Sequence, residues 1–463
     1  MKKIYSQKTG DDKTLLLQHI NIFLKDVFLA NNLTNPRIVV AFSGGLDSFI
    51  LLHLLANINN ISSHTLPFQL SAHHVHHGLS PHADSWANFC QSSCNQLNIP
   101  LTISKVYIDS NSGLGIEATA RKARYAALMA SDADFICTAH HQDDQAETLL
   151  LQLARGAGIK GLSGMAQIDC KRKLLRPLLN TSKADLEAYA KYHQLHWVDD
   201  ESNADIQFSR NFMRHKVLPI LAKQYPVIKQ NLARTAQHLA EASSLLDALA
   251  EKDAQIHSAQ HAEILSLQPL ASLSQARINN VMRWWLAQNQ IVMPSAAQLK
   301  QITQQLFHAK SDAMVKIKLD DDFANKQLTL RRFQNSAYLV TELNEYALMD
   351  FIWQGETELF LPNKTSLKFE QKIGEGLAIR HLTHHQLHIK SRVGSERFKP
   401  DLKRPSRSLK VVLQTAKIPP WQRTQLPLIV INDIVVVMPN IAVDAHFKAA
   451  ADEIGLVVTW HFA

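Results

Sequence analysis

Short apolar runs alternate with longer amphipathic stretches over the first half of the chain. The runs are unbroken and rich in β-branched residues, which is typical of strands buried on both faces of a parallel sheet. The predicted strands cover residues 38–42, 68–75, 101–107, 135–138 and 174–178. Helix-compatible stretches lie between them, and strands that alternate with helices in this way predict an α/β fold.

The pattern changes near residue 228, where the apolar positions Leu232, Leu239 and Leu246 trace a long amphipathic helix. Shorter helical stretches and strand-like runs follow it, which predicts two smaller α+β domains. The predicted divisions are a catalytic domain at 1–225, a helical connector at 226–254, a middle domain at 255–345, a linker region at 346–385 and a C-terminal domain at 386–463.

A tight polar loop, Ser43-Gly44-Gly45-Leu46-Asp47-Ser48, joins the first predicted strand to the first helix after it. Adjacent glycines let backbone N–H groups approach an anion, and a helix N-terminus adds partial positive charge. Asp47 would repel phosphate unless a divalent cation lay between them, so it indicates Mg²⁺. Since no Gly-Lys-Ser/Thr follows, the loop is not a Walker P-loop. The alternative is an ordinary strand-to-helix turn capped by a serine.

A second polar segment, residues 139–148, follows the fourth predicted strand. His140, Asp143, Asp144 and Glu147 recur there at helical spacing, which could bring them to one side of the opening turn. Open α/β sheets bind ligands at the carboxyl ends of their strands, so we expect a functional site here. The alternative is that the acidic residues only complement the helix dipole.

Two further groups of residues need a choice between function and structure. Arg121 lies on the helical stretch that follows the third predicted strand. It could hold a phosphate or a developing charge, or it could lie on a solvated charged face. The second strand ends in four histidines, and no cysteine or carboxylate pair nearby completes a metal shell. We expect this strand end to lie near a nucleotide, which makes His73 a candidate binding residue. The histidines are His73, His74, His76 and His77.

The formal net charge of +8 favours a polyanionic partner. Cationic side chains are concentrated from Lys390 to Arg423. The chain has no apolar run of about 20 residues and begins with a polar stretch, so we expect a cytoplasmic protein without a membrane span. The four cysteines form no Cys-x-x-Cys pair, which argues against a disulfide framework or a zinc site.

The loop at 43–48 matches Ser-Gly-Gly-x-Asp-Ser, the nucleotide loop of the ATP pyrophosphatases, which split ATP between its α and β phosphates. Further motifs behind it resemble those of the bacterial tRNA(Ile)-lysidine synthase family over nearly the full length. These motifs are His76-His77-Gly78-Leu79-Ser80, Gly115-Ile116-Glu117-Ala118, the segment at 139–147, Arg155-Gly156-x-Gly158, Arg210-Asn211-x-x-Arg214 and Pro419-Pro420-Trp421-x-Arg423. Many members carry an acidic residue or Asn where His76 stands, which leaves the role of His76 open.

The resemblance implies an adenine-nucleotide alpha-hydrolase-like (PP-loop ATPase) catalytic domain and two tRNA-binding domains. It also implies a two-step ligation. ATP adenylates the C2 oxygen of the wobble cytidine in the isoleucine tRNA with a CAU anticodon. The amine of free L-lysine then displaces AMP to give lysidine, which switches decoding from AUG to AUA. The sequence does not fix the oligomeric state, and a homodimer stays open.

The resemblance also implies roles for particular residues. ATP would bind at Ser43, Gly44, Gly45, Leu46, Asp47, Ser48 and His73, with Asp47 on Mg²⁺. The catalytic candidates are Asp47, Arg121, Asp143, Asp144 and Glu147. The candidates for binding lysine or tRNA are His140, Arg210, Asn211, Arg214, Arg397, Lys403, Arg404 and Arg407.

Two alternative functions remain at this stage. One is a tRNA thiolase on the same ATP domain, although such enzymes usually need a reactive cysteine pair or an iron–sulfur site, which the cysteine spacing here does not provide. The other is an ATP-binding module without chemistry, which the acidic segment and the two extra domains argue against.

Overall fold

A computed structural model describes residues 4–60, 67–78, 80–107, 116–255, 262–310, 313–319, 328–342, 348–362 and 365–462. Leu79 and Gly115, which belong to two of the quoted motifs, lie outside these residues, and the side chain of Glu117 is not described. The chain divides into two compact units, Met1–Ala248 and Leu249–Ala463. No helix in the described part of the chain is both long and apolar enough to cross a bilayer.

A six-stranded sheet lies at the centre of the first unit. Its strands are β1 (Arg37–Ala41), β2 (Gln69–His76), β3 (Leu101–Lys105), β4 (Phe135–Cys137), β5 (Ile168–Asp169) and β6 (Leu174–Leu175). They lie in the order β3-β2-β1-β4-β6-β5, and every pair is parallel except β5 with β6. The predicted α/β fold with a parallel sheet is confirmed.

The strand order places a topological switch point between β1 and β4. The chain runs outward from β1 through β2 to β3, then returns to add β4 on the other side of β1. Loops that leave the carboxyl ends of two such strands diverge and open a crevice between them. The loop at 43–48 follows β1, and the acidic segment follows β4. The topology therefore brings the two predicted site segments together.

Helices α2, α3 and α4 pack against the strands of the first unit. The helices up to its end are α1 (Ile4–Ala30), α2 (Leu46–Asn60), α3 (Ala83–Gln96), α4 (Ile116–Met129), α5 (Gln142–Ala154), α6 (Ile159–Leu162), α7 (Lys183–Tyr192), α8 (Ser209–Phe212), α9 (Leu218–Gln224) and α10 (Ile228–Ala254), the last of which continues past Ala248. The α2 helix is buried along most of its length, because it packs against the sheet, α1 and α7. This burial fixes the start of α2, and with it the loop at 43–48.

The fifth predicted strand, at 174–178, is shorter in the structure. It ends at Leu175, two residues before Pro177, which has no N–H to donate to a strand ladder. The structure instead adds the short antiparallel strand β5, which the sequence pattern did not predict.

The second unit begins with an antiparallel sheet of β7 (Ile264–Ser266), β8 (Lys316–Leu319), β9 (Leu328–Phe333) and β10 (Ser336–Thr341). Two helices, α11 (Gln275–Gln288) and α12 (Ala296–His308), accompany it. Trp285, Leu286 and Leu330 are among the fully buried residues of their shared core.

The remaining strands of the second unit are β11 (Asp350–Ile352), β12 (Glu358–Phe360), β13 (Thr365–Ile373), β14 (Leu377–Ala378), β15 (His388–Lys390), β16 (Arg397–Phe398), β17 (Arg407–Ser408), β18 (Leu428–Ile431), β19 (Ile434–Met438), β20 (Ala442–Val443) and β21 (Ile454–Phe462). They form sheets in the orders β11-β15-β18-β19-β20 and β12-β13-β21-β14, with β16 and β17 as a separate pair. Two short helices, α13 (Leu409–Thr415) and α14 (Pro420–Arg423), complete this part.

The predicted linker at 346–385 is wrong. All nine residues of β13 pair with β21, so this segment belongs to the C-terminal fold. Leu367 and Phe369 are buried in its core, whereas Lys368 and Glu370 face outward. This alternation is the signal of a half-buried strand, and mixed polar residues around it hid the pattern. The other predicted domain boundaries stay predictions.

Candidate active site

The loop at 43–48 is closed by its two serines. The Ser43 N–H donates to Ser48 Oγ at 3.3 Å, and the two serine hydroxyls lie 3.1 Å apart. The Ser48 hydroxyl also donates to the Gly45 carbonyl at 2.9 Å. These bonds hold the backbone between β1 and α2 in a compact turn at the carboxyl end of the sheet.

Gly44 is held in a conformation that favours glycine. Its φ is +85°, and a Cβ at this position would lie 3.0 Å from both Cys90 Sγ and Val198 Cγ2. The Val198 N–H donates to the Gly44 carbonyl at 3.0 Å. The loop is therefore packed against α3 and against the segment that contains Val198.

One imidazole lies between the two halves of the site. His141 Nε2 is 3.5 Å from Asp47 Oδ2, in the first turn of α2, and 3.5 Å from Asp144 Oδ2, in the first turn of α5. The side chain of His141 is only 1% exposed. Burial alone would lower the pKa of His141, but the carboxylates of Asp47, Asp144 and Asp143 hold it above its ordinary value.

Sequence reasoning missed His141 and chose its neighbour His140. The His140 Nδ1 bonds to the Thr138 hydroxyl at 2.9 Å, and burial lowers the pKa of His140 to about 3, so that its ring is neutral at pH 7. The two adjacent histidines therefore have opposite charge preferences. The only sequence signal for His141 was its place immediately before α5, next to two aspartates.

The contact between His141 and Asp47 leaves one polar atom of each side chain without a partner among the described residues. Asp47 Oδ1 and His141 Nδ1 are both buried without a hydrogen-bond partner among the described residues. Buried polar atoms are nearly always satisfied in folded proteins, so such atoms at a crevice point to a ligand, an ion or a water.

The acidic segment is paired with cations that come from much later in the chain. Asp144 Oδ1 lies 3.2 Å from Arg210 Nη2 and 3.1 Å from Arg214 Nη2. Glu147, whose side chain is 1% exposed, accepts from Arg210 Nε at 2.9 Å and from Arg214 Nε at 2.5 Å. Asp143 pairs with Lys229 in the same way. The predicted acidic and arginine residues therefore meet in one cluster.

The charge of Asp144 is set by its neighbours. Burial alone would raise the pKa of Asp144, but His141 and Arg210 hold it below its ordinary value. Asp144 is thus ionised at neutral pH and is suited to bind a cation rather than to remove a proton. Arg214 lies in a π-helical turn, Met213–Val217, a backbone irregularity that is frequent at functional sites.

Two predicted residues, Asn211 and Arg121, make no ion pair with the acidic residues of the cluster among the described contacts. Asn211 is buried, and its side-chain amide donates to the Asp205 carbonyl at 2.8 Å. Arg121 is exposed on α4, with its guanidinium carbon 5.1 Å from the ring centre of Tyr125. Its guanidinium also donates to the Tyr125 hydroxyl at 3.5 Å, so the described partner of Arg121 lies one turn along the same helix.

His73 does not face the loop at 43–48. Its Nδ1 bonds to the Ser131 hydroxyl at 2.8 Å and its Nε2 to the Ser104 hydroxyl at 2.9 Å, so both ring nitrogens are occupied. The neighbouring His74 bonds instead to the carbonyl of Phe42, the residue before the loop, at 2.9 Å. This geometry favours a structural role for the His73 side chain.

The basic residues of the C-terminal domain lie in the second unit. Arg397, Lys403 and Arg404 are exposed on or near the β16–β17 pair, and Arg407 is half-buried. Arg397 donates to the Ser406 carbonyl at 2.6 Å, and Arg404 lies 3.7 Å from Asp401. These contacts leave a cationic surface with few counter-charges.

The cysteines are not arranged for sulfur chemistry. Cys90, Cys94 and Cys137 are buried, and burial raises the pKa of their thiols to about 12, 11 and 12, respectively. Protonated, buried thiols are poor nucleophiles. Cys170 is the exposed one. The thiolase alternative is therefore not favoured.

The parallel sheet, the Ser-Gly-Gly-x-Asp-Ser loop and the polar segment at the switch point define a PP-loop enzyme that uses ATP as a substrate. The model of the PP-loop domain matches residues 16–221, that of the TilS substrate binding domain matches 265–338, and that of the TilS substrate C-terminal domain matches 387–460.

Relatives narrow the class to one family. The tRNA(Ile)-lysidine synthase of Nitrosomonas europaea is 40% identical over 432 residues, which cover 92% of each chain. That of Coxiella burnetii is 37% identical over 437 residues, covering 92% of this chain and 94% of that protein. The chain belongs to the tRNA(Ile)-lysidine synthase family and is an enzyme. A solved structure of the U34-tRNA thiolase NcsA from Methanococcus maripaludis is 18% identical and covers 49% of this chain and 79% of that one, with a TM-score of 0.41.

Proposed function

We propose that this enzyme ligates L-lysine to C2 of the wobble cytidine in the isoleucine tRNA with a CAU anticodon, and releases AMP and pyrophosphate. The observation that carries the proposal is the position of His141 between Asp47 and Asp144. It joins a nucleotide loop to an ionised acidic cluster, and the two steps of the ligation need these two environments side by side. Family membership over most of the chain supports the same reaction.

The first step needs stabilisation of negative charge on phosphate. The backbone of the loop at 43–48 and the N-terminus of α2 provide donors for the phosphates. Arg121, exposed at the edge of the site, can swing onto the α-phosphate as the cytidine oxygen attacks it. Departing pyrophosphate leaves the adenylated cytidine behind, ready for the second step.

The site also fits Mg²⁺. The orphaned Oδ1 of Asp47 is a hard oxygen ligand at the phosphate end of the site. No cluster of three or more candidate ligands occurs in the described part of the chain. That fits Mg²⁺, which commonly takes one or two carboxylates and completes its shell with water and substrate phosphates. When bound there, the ion would neutralise phosphate charge. His141 holds the other oxygen of Asp47 and so orients the carboxylate.

The second step needs a site for a cationic amino acid. Asp143 already accepts an ammonium group, that of Lys229, whose side chain is nearly half exposed. Free lysine can displace this side chain and place its ε-ammonium on Asp143 or Asp144. After this ammonium loses a proton to solvent, the amine attacks C2 of the adenylated cytidine, the new C–N bond forms and AMP departs. Arg210 and Arg214, held by Glu147, are suited to bind the carboxylate of the same lysine. The cluster thus offers both signs of charge to a zwitterionic substrate.

We also assign tRNA binding to the middle domain and to the C-terminal domain. In the C-terminal domain, the cationic residues of the β16–β17 region suit the phosphates of tRNA. An enzyme with this substrate would act in the cytoplasm, where tRNA is found. Incubation of the CAU tRNA transcript with radiolabelled lysine tests the reaction. ATP-dependent transfer of label to tRNA supports the proposal. If folded protein transfers no label, the proposal is rejected.

A further inference from the structure

A surface pocket of about 320 Å³ lies between the end of α5 and the chain around α8. We call it the α5–α8 pocket. Its walls include Leu151 from α5, Arg155 directly after that helix, and Ile206, Gln207 and Phe212 from the chain around α8. Its volume is at the lower end of the range for ligand sites, roughly 300–1,000 Å³. None of the residues placed in the reaction above lines it.

The pocket adjoins the ion-paired cluster on both walls. On α5, Leu151 follows Glu147 by four residues, so it lies one helical turn, about 5.4 Å, further along the same face. On the other wall, Met213 lines the pocket and directly precedes Arg214, which pairs with Glu147. A substrate that reaches the cluster with one group can therefore place a neighbouring group in the pocket.

The lining selects the kind of group that fits. Phe212 is 45% exposed and Ile206 is 46% exposed, so the pocket presents uncovered apolar surface beside the active site. Arg155 and Gln207 add a planar cation and an amide at the same place. No carboxylate lines the pocket among the described residues, so it does not suit an ammonium group. An aromatic ring, a guanidinium plane and an amide are the groups that bind unstacked bases in RNA loops.

We propose that the α5–α8 pocket binds an unstacked nucleobase next to the wobble cytidine in the anticodon loop. The base stacks on Phe212, and Arg155 and Gln207 contact its edge. The proposal rests on the proposed function, which brings an anticodon loop to the adjacent cluster. It also gives a role to the Arg155-Gly156-x-Gly158 motif, which the ligation itself does not use. The pocket would hold the loop open while the cytidine is modified.

The first test compares three variants of the full-length protein on CAU tRNA. Phe212→Ala should raise the Kd and the KM for tRNA roughly 5- to 150-fold, the range for loss of one base–aromatic stack. Its kcat at saturating tRNA should stay within about twofold of the wild type. Phe212→Tyr keeps the ring and should bind like the wild type. Leu153→Ala removes a 60% exposed side chain from the same helix outside the pocket, and should change nothing.

The second test identifies the base. Full-length tRNAs with one abasic site each, at the nucleotides flanking the cytidine, are compared on the wild type and on Phe212→Ala. One of the abasic tRNAs should bind the wild type more weakly than intact tRNA does. The affinity of Phe212→Ala for that same abasic tRNA should be almost the same as its affinity for intact tRNA. Equal losses in both proteins at every position would overturn the proposal, as would wild-type binding by Phe212→Ala.

Other results separate this inference from the proposed function. If the wild-type protein forms lysidine and Phe212→Ala behaves identically, the proposal for the pocket is rejected and the proposed function stands. Wild-type protein that transfers no lysine to the tRNA overturns both. If Phe212→Ala instead changes the oligomeric state in size-exclusion chromatography and leaves tRNA binding unchanged, the pocket is a contact between copies of the chain, and the proposal is rejected.

Discussion

The imidazole of His141 lies 3.5 Å from the carboxylate of Asp47, although the two residues are 94 positions apart in the chain. The same ring nitrogen lies 3.5 Å from Asp144. Asp47 and Asp144 hold the pKa of this buried imidazole above its ordinary value, and the ring bridges the two carboxylates. This contact connects the nucleotide loop to the acidic cluster.

Asp47→Ala should reduce ATP-dependent pyrophosphate release by at least about 100-fold, because it removes the ligand proposed for Mg²⁺ and a partner of His141. The measurement is pyrophosphate release with tRNA and ATP present, beside a thermal melt to show that the fold is kept. Asp84→Asn is a matched control, since Asp84 lies in the first turn of α3 and is exposed. Release at the wild-type rate from Asp47→Ala would remove Asp47 from the mechanism.

Asp143→Asn and Asp144→Asn should separate the two steps. Each should still release pyrophosphate, but should need about 10- to 100-fold more lysine for half-maximal product, as expected for loss of one charged hydrogen bond. Asp143→Asn is the cleaner variant, because Asp144 also holds Arg210 and Arg214. The lysine dependence of product formation is the measurement. An unchanged lysine requirement in both variants would move the amino-acid site elsewhere.

The two loop glycines should respond differently to alanine. Gly44→Ala forces a left-handed φ on a residue with a Cβ and brings that atom against Cys90 and Val198, so we expect a loss of at least about 1–2 kcal/mol in the free energy of unfolding. Gly45→Ala is the control, because its nearest new contact is 3.6 Å away and its φ is not positive. Chemical denaturation of both variants checks this. Equal stability would contradict the geometry described for Gly44.

The basic surface of the C-terminal domain should bind tRNA through phosphates. Replacing Arg397, Lys403, Arg404 and Arg407 with Gln should flatten the log–log salt dependence of tRNA binding by roughly 0.7–0.9 for each lost contact. The loss of affinity should therefore be greater at low salt, and the KM values for ATP and lysine should barely change. A control with the three arginines changed to Lys keeps the charge and should keep the slope. A wild-type slope in the Gln variant would mean that tRNA is held elsewhere.

Local patterns in the sequence were enough to predict the α/β fold and the loop at 43–48. The run from Ile38 to Phe42 is apolar throughout because β1 is buried at the centre of the sheet, and Gly44 and Gly45 mark the turn directly. The acidic segment after β4 was also predictable, since strand ends in such sheets bind ligands.

What the sequence did not show depends on contacts between distant residues. Arg210 and Glu147 are 63 positions apart, and the sequence around each of them does not predict their ion pair. His141 was overlooked in favour of His140 because only the direction of each side chain at the start of α5 separates them. The strand β13 was taken for a linker because its pairing with β21 spans about 90 residues and leaves no local signal beyond a short alternation.

The central claim is that one site performs both steps on the wobble cytidine. The most direct test incubates CAU tRNA with the enzyme, ATP and Mg²⁺, once with lysine and once without it. The nucleosides of each tRNA sample are then analysed by mass spectrometry. We expect lysidine at the wobble position only when lysine is present. A tRNA that carries uridine at that position should yield no lysidine. A sulfur adduct, a lysine adduct at another nucleotide, or unmodified cytidine after incubation of folded enzyme with lysine would contradict this.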